Sequence, residues 1–175
     1  GDAITSSTDP NGTIGIGYNA LTALTSGAGN TAIGYEAMKE DTESDNSVVI
    51  GYEAAFNTNN QNMNENVFIG HRSGGGAWAG IGRFNVAVGK DSLSGNISGA
   101  DDNIAIGHSS GKMIIGGDDN CLIGTNSGDA ITQDSRVIAI GTDSYSANVT
   151  TNGHDSTATN GSGNMAIGYK SMAAL

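Results

Sequence analysis

The stretch Asn30-Thr31-Ala32-Ile33-Gly34-Tyr35-Glu36-Ala37-Met38 decides the fold, because the chain writes a variant of it nine times. The glycines that close its Ile-Gly step are Gly17, Gly34, Gly51, Gly70, Gly89, Gly107, Gly124, Gly141 and Gly168. Successive copies lie 17 to 19 residues apart, except the last, which follows after 27. A unit this short cannot enclose a core alone, so each copy must stack on its neighbours. The period predicts one all-β domain over residues 1–175, a parallel β-solenoid (β-roll) of about nine coils. At the spacing between neighbouring strands, about 4.8 Å, nine coils make a rod on the order of 43 Å long.

Two aliphatic columns accompany the glycine. Immediately before it stand Ile16, Ile33, Ile50, Ile69, Val88, Ile106, Ile123, Ile140 and Ile167. Three before it stand Ile14, Thr31, Val48, Val67, Val86, Ile104, Cys121, Ile138 and Met165. Positions two apart share one side of a strand. The residue between them points the other way and is mostly small and never charged: Gly15, Ala32, Val49, Phe68, Ala87, Ala105, Leu122, Ala139 and Ala166. A strand apolar on both sides is buried on both sides. The expectation is that the β-branched columns line the interior and the small column meets another subunit along the rod. The columns require a partner without fixing how many.

Other columns prescribe corners. Asn30, Asn66, Asn85, Asn103, Asn120 and Asn164 lie four before the glycine, where asparagine suits left-handed backbone and stacked copies form an amide ladder. Three after it every residue is Ala or Ser, from Ala20 to Ser171, which predicts a tight inward corner. The glycine is expected where φ is positive or a Cβ would clash. The remainder of each coil is expected to hold a second, less regular strand, with candidates at Ala20–Thr25, Met113–Ile115 and Ala130–Gln133. No sustained 3.6-residue pattern appears, so almost no helix is expected.

The column after the glycine is variable and polar-tipped: Tyr18, Tyr35, Tyr52, His71, Lys90, His108, Thr125, Thr142 and Tyr169. It reads either as a ligand-contacting stripe or as a stacking ladder that steadies the corner. Three stretches break the repeat: 57–66, 71–83 and 144–164. The second carries the single tryptophan, Trp78, beside Gly74, Gly75 and Gly76. Such a tryptophan is either a carbohydrate platform or a side chain folded back on its scaffold. The third holds Tyr145 and His154, and as the longest insertion it is the candidate for a lateral receptor-contacting bulge. The receptor-contact candidates are thus Trp78, Tyr18, Tyr35, Tyr52, Tyr145 and His154.

Only 14% of residues are charged and the net charge is −11, which disfavours nucleic acid and anionic membrane as partners. No transmembrane run is visible. Cys121, the single cysteine, sits in an aliphatic column and reads as a small buried hydrophobe. Asp101-Asp102 and Asp118-Asp119 are 17 residues apart. One pair can lie above the other with calcium between them. His71 and His108 share a column but stand two coils apart, about 10 Å, too far to share a metal within one chain. Carboxylates paired across a groove, a nucleophile elbow and zinc spacing are all missing from the sequence, so a non-enzymatic protein without a cofactor is expected. A flat threonine face of the ice-binding kind is not continued, since Thr31, Thr125 and Thr142 do not form one column. Gly1-Asp2-Ala3-Ile4-Thr5 recurs as Gly128-Asp129-Ala130-Ile131-Thr132. The first copy therefore reads as the middle of a turn, within either a segment of a longer fibre or a rod that stacks end to end.

The copies at 30–38 and at Asn164-Met165-Ala166-Ile167-Gly168-Tyr169-Lys170-Ser171-Met172 resemble the repeats of phage tail fibres. The same Ala-Ile-Gly pattern is similar to the head repeats of bacterial trimeric autotransporter adhesins. The resemblance covers essentially the whole chain. It implies a homotrimer, intertwined or side by side, and a viral structural protein in the tail fibre of a virion that attaches to a host surface polysaccharide. The alternative it leaves is an adhesin or filament subunit at a bacterial cell surface. Autotransporter repeats are usually shorter and carry a serine near their start, and no neck or stalk motif occurs here. These departures favour the phage fibre.

Overall fold

A computed structural model describes residues 12–59, 61–146 and 163–173. Each glycine-terminated tripeptide forms one short strand: β1 (Ile14–Ile16), β2 (Thr31–Ile33), β3 (Val48–Ile50), β4 (Val67–Ile69), β5 (Val86–Val88), β6 (Ile104–Ile106), β7 (Cys121–Ile123), β8 (Ile138–Ile140) and β9 (Met165–Ile167). They form a single parallel sheet in sequence order. The register never slips, whether the interval is 17, 18 or 19 residues: Ile33 pairs Ile50, Ile50 pairs Ile69, and Val88 pairs Ile106. The result is a β-solenoid of about seven described turns, and no helix occurs among the described residues.

The second strand expected in each coil is not there. Ala20–Thr25, Met113–Ile115 and Ala130–Gln133 run through turns. The residues two and four after the glycine are left-handed, as at Glu36 (φ 53°) and Met38 (φ 50°), and again at Asp91 (φ 53°) and Leu93 (φ 48°). Left-handed residues at alternate positions prevent an extended run. Backbone bonds between coils persist all the same: the Glu36 amide donates to the Tyr18 carbonyl at 2.8 Å and the Met38 amide to the Ala54 carbonyl at 3.1 Å.

The inside and outside of the sheet are the reverse of the expectation. The small middle column faces inward: Ala32, Val49, Phe68, Ala87, Ala105, Leu122, Ala139 and Ala166 are fully buried. The two β-branched columns face outward and stay half-exposed or exposed. The reason is volume. Core bulk also comes from the residue four after the glycine, and the two positions compensate. Within single coils Ala32 is matched by Met38, Ala87 by Leu93, Ala139 by Tyr145 and Val49 by Ala55, all buried. Where the strand residue is large, its counterpart is glycine. A Cβ on Gly128 would lie 2.8 Å from Leu122 Cδ2, and one on Gly74 would lie 2.7 Å from Phe68 Cε2. In the coil where both residues are small, Ala105 and Gly111, the neighbouring Leu122 leans in, its Cδ1 3.0 Å from a Cβ placed on Gly111. In these two columns each coil thus carries at most one large residue, and Leu24, Trp78, Ile97, Ile114 and Ile131 supply further buried bulk beside them.

Glycine also sets the corner. Gly34 has φ 142°, and a Cβ there would land on the carbonyl oxygen of Gly51 one coil on. The Ala/Ser column three residues later is buried from Ala20 to Ser144, as a tight inward corner requires.

Size compensation is testable by exchange. Leu122→Ala is expected to cost about 2–5 kcal/mol through the cavity it leaves, and Gly128→Leu to destabilise by overpacking against Leu122. The double variant recreates the Ala87/Leu93 arrangement and is expected to recover most of the loss in a urea melt. Strictly additive losses would contradict the pairing.

Candidate functional site

The fold leaves the outward side of the sheet uncovered from β1 to β9. Because the register is constant, side chains of one column lie one above the next along the rod. Two parallel aliphatic ridges result, Ile14–Met165 and Ile16–Ile167 in their columns, with Ile104 40% and Ile106 38% exposed in mid-rod. No residue of either ridge is charged. Cys121 lies in the first ridge, half-buried and free, rather than in the core. Contiguous exposed apolar surface of this kind marks an interaction site.

Beyond the glycine corner runs the polar-tipped column. Tyr18, Tyr35, Tyr52 and His71 stack face to face. The centroid separations are 5.3, 4.9 and 5.4 Å, with rings within 16° of parallel. The faces of Tyr35 and Tyr52 are therefore taken up by their neighbours, and their edges and hydroxyls point outward. This is the geometry of the stacking ladder; a sugar ring has no free face to lie on at those two rungs. The Glu36 carboxylate beside Tyr35 holds that phenol above its ordinary range, and burial with Glu53 does the same for Tyr52.

Inside the coil the asparagine column forms the expected amide ladder. Asn103 Oδ1 accepts the Asn120 amide at 3.1 Å and its side-chain Nδ2 at 2.9 Å, while Asn103 Nδ2 donates to the Gly117 carbonyl at 2.8 Å. The same amide-to-Oδ1 bond recurs from Ser47 to Asn30 and from Val137 to Asn120. The left-handed residue is the one before the asparagine, as at Glu65 (φ 61°), Phe84 (φ 59°), Asp102 (φ 58°) and Asp119 (φ 59°), not the asparagine itself.

A further ladder lies outside the columns that the repeat prescribes. Six before the glycine stand Asp45, Asn64, Asp101, Asp118 and Ser135. Each side-chain oxygen accepts the backbone amide of the preceding coil: Ala28 to Asp45 (2.7 Å), Asp45 to Asn64 (2.7 Å), Arg83 to Asp101 (2.7 Å), Asp101 to Asp118 (2.9 Å) and Asp118 to Ser135 (2.9 Å). Asp101 also pairs with the Arg83 guanidinium at 3.5 Å. Burial and the Asp101, Asp119 and Asp102 charges raise Asp118, against the amide bond that lowers it. The proposed calcium carboxylates are thus stacked as the spacing requires, but Asp101 and Asp118 each spend an oxygen on a backbone amide. Among the described residues no cluster of three His, Cys, Asp or Glu could hold a metal. The signal that reveals this ladder is the recurrence of short acceptors at one offset.

The remaining candidates separate. Trp78 is fully buried, donates from Nε1 to the Gly74 carbonyl at 3.0 Å and packs edge-on against Phe68, so it is core and not a platform. Tyr145 is buried too, and its hydroxyl accepts from Asn164 Nδ2 at 2.9 Å. His154 and most of the stretch 144–164 lie outside the described residues. Asp41 is a buried carboxylate in the core column that holds Leu24 one coil before and Thr58 one coil after. Its Oδ1 accepts the Ser44 amide at 2.9 Å and its Oδ2 the Ser44 hydroxyl at 2.6 Å. Burial nonetheless pushes its pKa up. The Thr58 hydroxyl is buried without a hydrogen-bond partner.

No family model, curated protein or solved structure matches the chain.

Two measurements check these placements. Trp78, being the single tryptophan, should emit at short wavelength and resist acrylamide quenching, unchanged by added oligosaccharide; a quenchable, red emission would place it at the surface. The folded state binds the Asp41 proton more tightly than the unfolded chain, because its value is raised. Its contribution to stability is therefore full at low pH and is lost as pH rises from the ordinary 3.8 through the raised folded value. Asp41→Asn removes the buried charge and is expected to flatten that loss in melts across acidic pH, while leaving an acceptor for the Ser44 amide. An unchanged slope would contradict the assignment.

Proposed function

We propose that this chain is a structural and receptor-binding segment of a homotrimeric phage tail fibre, a non-enzymatic rod that attaches to a host surface glycan. The observation that carries the reading is the uncharged pair of aliphatic ridges running from β1 to β9. A partner that covers them must be as long and as periodic as the rod itself, and a second and third copy of the same chain meet that requirement. This moves the intersubunit surface from the small column, which fills the core, to the β-branched columns. Burying such ridges at about 25 cal/mol per Å2 is the dominant driving force available for association, and the net charge of −11 stays on the outer flanks. The choice of three copies rests on the resemblance to phage fibre and adhesin-head repeats. Adhesion then works by avidity, several weak identical contacts engaging a dense glycan surface together. The same rod in a bacterial surface adhesin or extracellular filament is the second reading, favoured by the likeness to autotransporter heads.

Light scattering on the purified chain is expected to give three times the 17.6 kDa chain mass. Ile106→Asp, a charge placed in the ridge, is expected to reduce it to one chain, and Asp102→Lys, off the ridge, to leave it unchanged. Wild-type protein that is monomeric at micromolar concentration would sink the proposal. On a glycan array, the trimer should bind and the Ile106→Asp chain should lose binding. A trimer that binds no glycan would reduce the segment to a spacer.

A further inference from the structure

We propose that the Tyr18–Tyr35–Tyr52 stack is a site of oxidative covalent modification, at which a peroxidase-type one-electron oxidant joins phenols of adjacent coils as dityrosine. The inference stands on the geometry of the ladder and does not depend on the reading of the chain as a phage fibre. Three phenols on successive coils lie at 5.3 and 4.9 Å between centroids, tilted by 16° and 8°. All three are accessible, with 54%, 40% and 48% of their surface exposed at Tyr18, Tyr35 and Tyr52. The stack ends at His71, which offers no phenol. The two other tyrosines lack this arrangement. Tyr145 is buried, and Tyr169, though exposed, has Thr142 as its neighbour on the preceding rung.

The chemistry needs two tyrosyl radicals within coupling distance before either is quenched. Each phenol loses one electron to the oxidant and one proton to a base. Glu36, next to Tyr35, and Glu53, next to Tyr52, act on those phenols by their charge, and these carboxylates or water take the proton. The ortho carbons of the two rings then form one C–C bond, and their two hydrogens move to the phenoxyl oxygens as aromaticity returns. Overall, two tyrosines and one hydrogen peroxide give one dityrosine and two water molecules. Holding the partners one rung apart makes the coupling unimolecular, with the large advantage of proximity over collision between molecules. Exposed rings reorient within nanoseconds, so the parallel pair can slide into bonding contact. The product is a covalent staple between coils, at a point where adjacent coils are otherwise joined only by hydrogen bonds and packing.

The test treats the purified chain with a haem peroxidase and hydrogen peroxide, at a protein dilution that suppresses links between molecules. Intact mass, dityrosine fluorescence and mapping of linked peptides are then read. Wild type is expected to lose two hydrogen atoms per molecule and to yield linked peptides containing Tyr35 with Tyr18 or Tyr52. Tyr35→Phe keeps an aromatic ring in the stack and separates the remaining phenols by two rungs, so the intramolecular yield should fall about tenfold or more. Tyr18→Phe should retain the Tyr35–Tyr52 link, and Tyr169→Phe should change nothing. Circular dichroism on each variant verifies that the fold is kept. An undiminished yield in Tyr35→Phe would overturn the proposal. So would wild-type protein linked only between molecules through Tyr169.

Discussion

Every coil of this rod approaches the next through a glycine that has no room for a side chain. A Cβ at Gly17, Gly34, Gly51, Gly70, Gly89, Gly107, Gly124 or Gly141 would strike the carbonyl oxygen of the following glycine. That contact pins the corner of each coil over the corner below, and the strand entering the corner has no freedom to shift register. Insertions of one or two residues in the return loops, as between Gly51 and Gly70, are absorbed away from the sheet, and the pairing Ile50–Ile69 is kept. Once the corner is fixed, like residues must stack on like. The asparagine amides, the Asp/Asn/Ser acceptors and the tyrosine rings all become ladders for this one reason.

The narrow interior is the second consequence. Across the strand-centre column and the column four after the glycine each coil carries at most one large side chain, from the strand, as at Phe68 and Leu122, or from the turn, as at Met38 and Leu93, and Leu24, Trp78, Ile97, Ile114 and Ile131 fill the rest of the core. The β-branched residues on either side of the strand centre are left outside by the alternation of the strand itself. An apolar outer surface is thus not a local accident of composition; it follows from turning the strand-centre column into the core, which leaves its apolar neighbours outside. The buried Asp41 and the unpartnered Thr58 hydroxyl are the exceptions in the core columns, and the turns that hold them lean on Ser44 and Asn66 instead of on aliphatic packing.

Much of the fold was legible from one motif. Its period gives the coil, its glycine gives the corner, and its asparagine gives the amide ladder. What the motif does not say is which side of a doubly apolar strand is the inside. Ala32 between Thr31 and Ile33 looks like a contact surface until Met38 is counted with it, and then the pair is seen to fill a core rung. Nor does the motif exclude a second strand after the glycine, because left-handed backbone at Glu36 and Met38 is not announced by residue type. Trp78 showed the opposite limit: glycines around an aromatic suggest an open loop, and here they make room for Trp78 and Phe68 in the core. The acceptor column at Asp101 and Asp118 was visible only as acids, since its role appears when the amide one coil earlier is in view.

Rod, ridges and ladders all require that separation along the axis follow coil number and not sequence distance. Pulsed dipolar spectroscopy measures this directly, with spin labels at Tyr35 paired in turn with Lys90, Thr125 and Thr142, in a Cys121→Ala background diluted with unlabelled chains. Those positions are three, five and six rungs from Tyr35, so the distances should rise linearly by about 4.8 Å per rung, to about 14, 24 and 29 Å. Distances that fail to increase in that order, or that cluster at one value as in a compact globule, would contradict the stacked account.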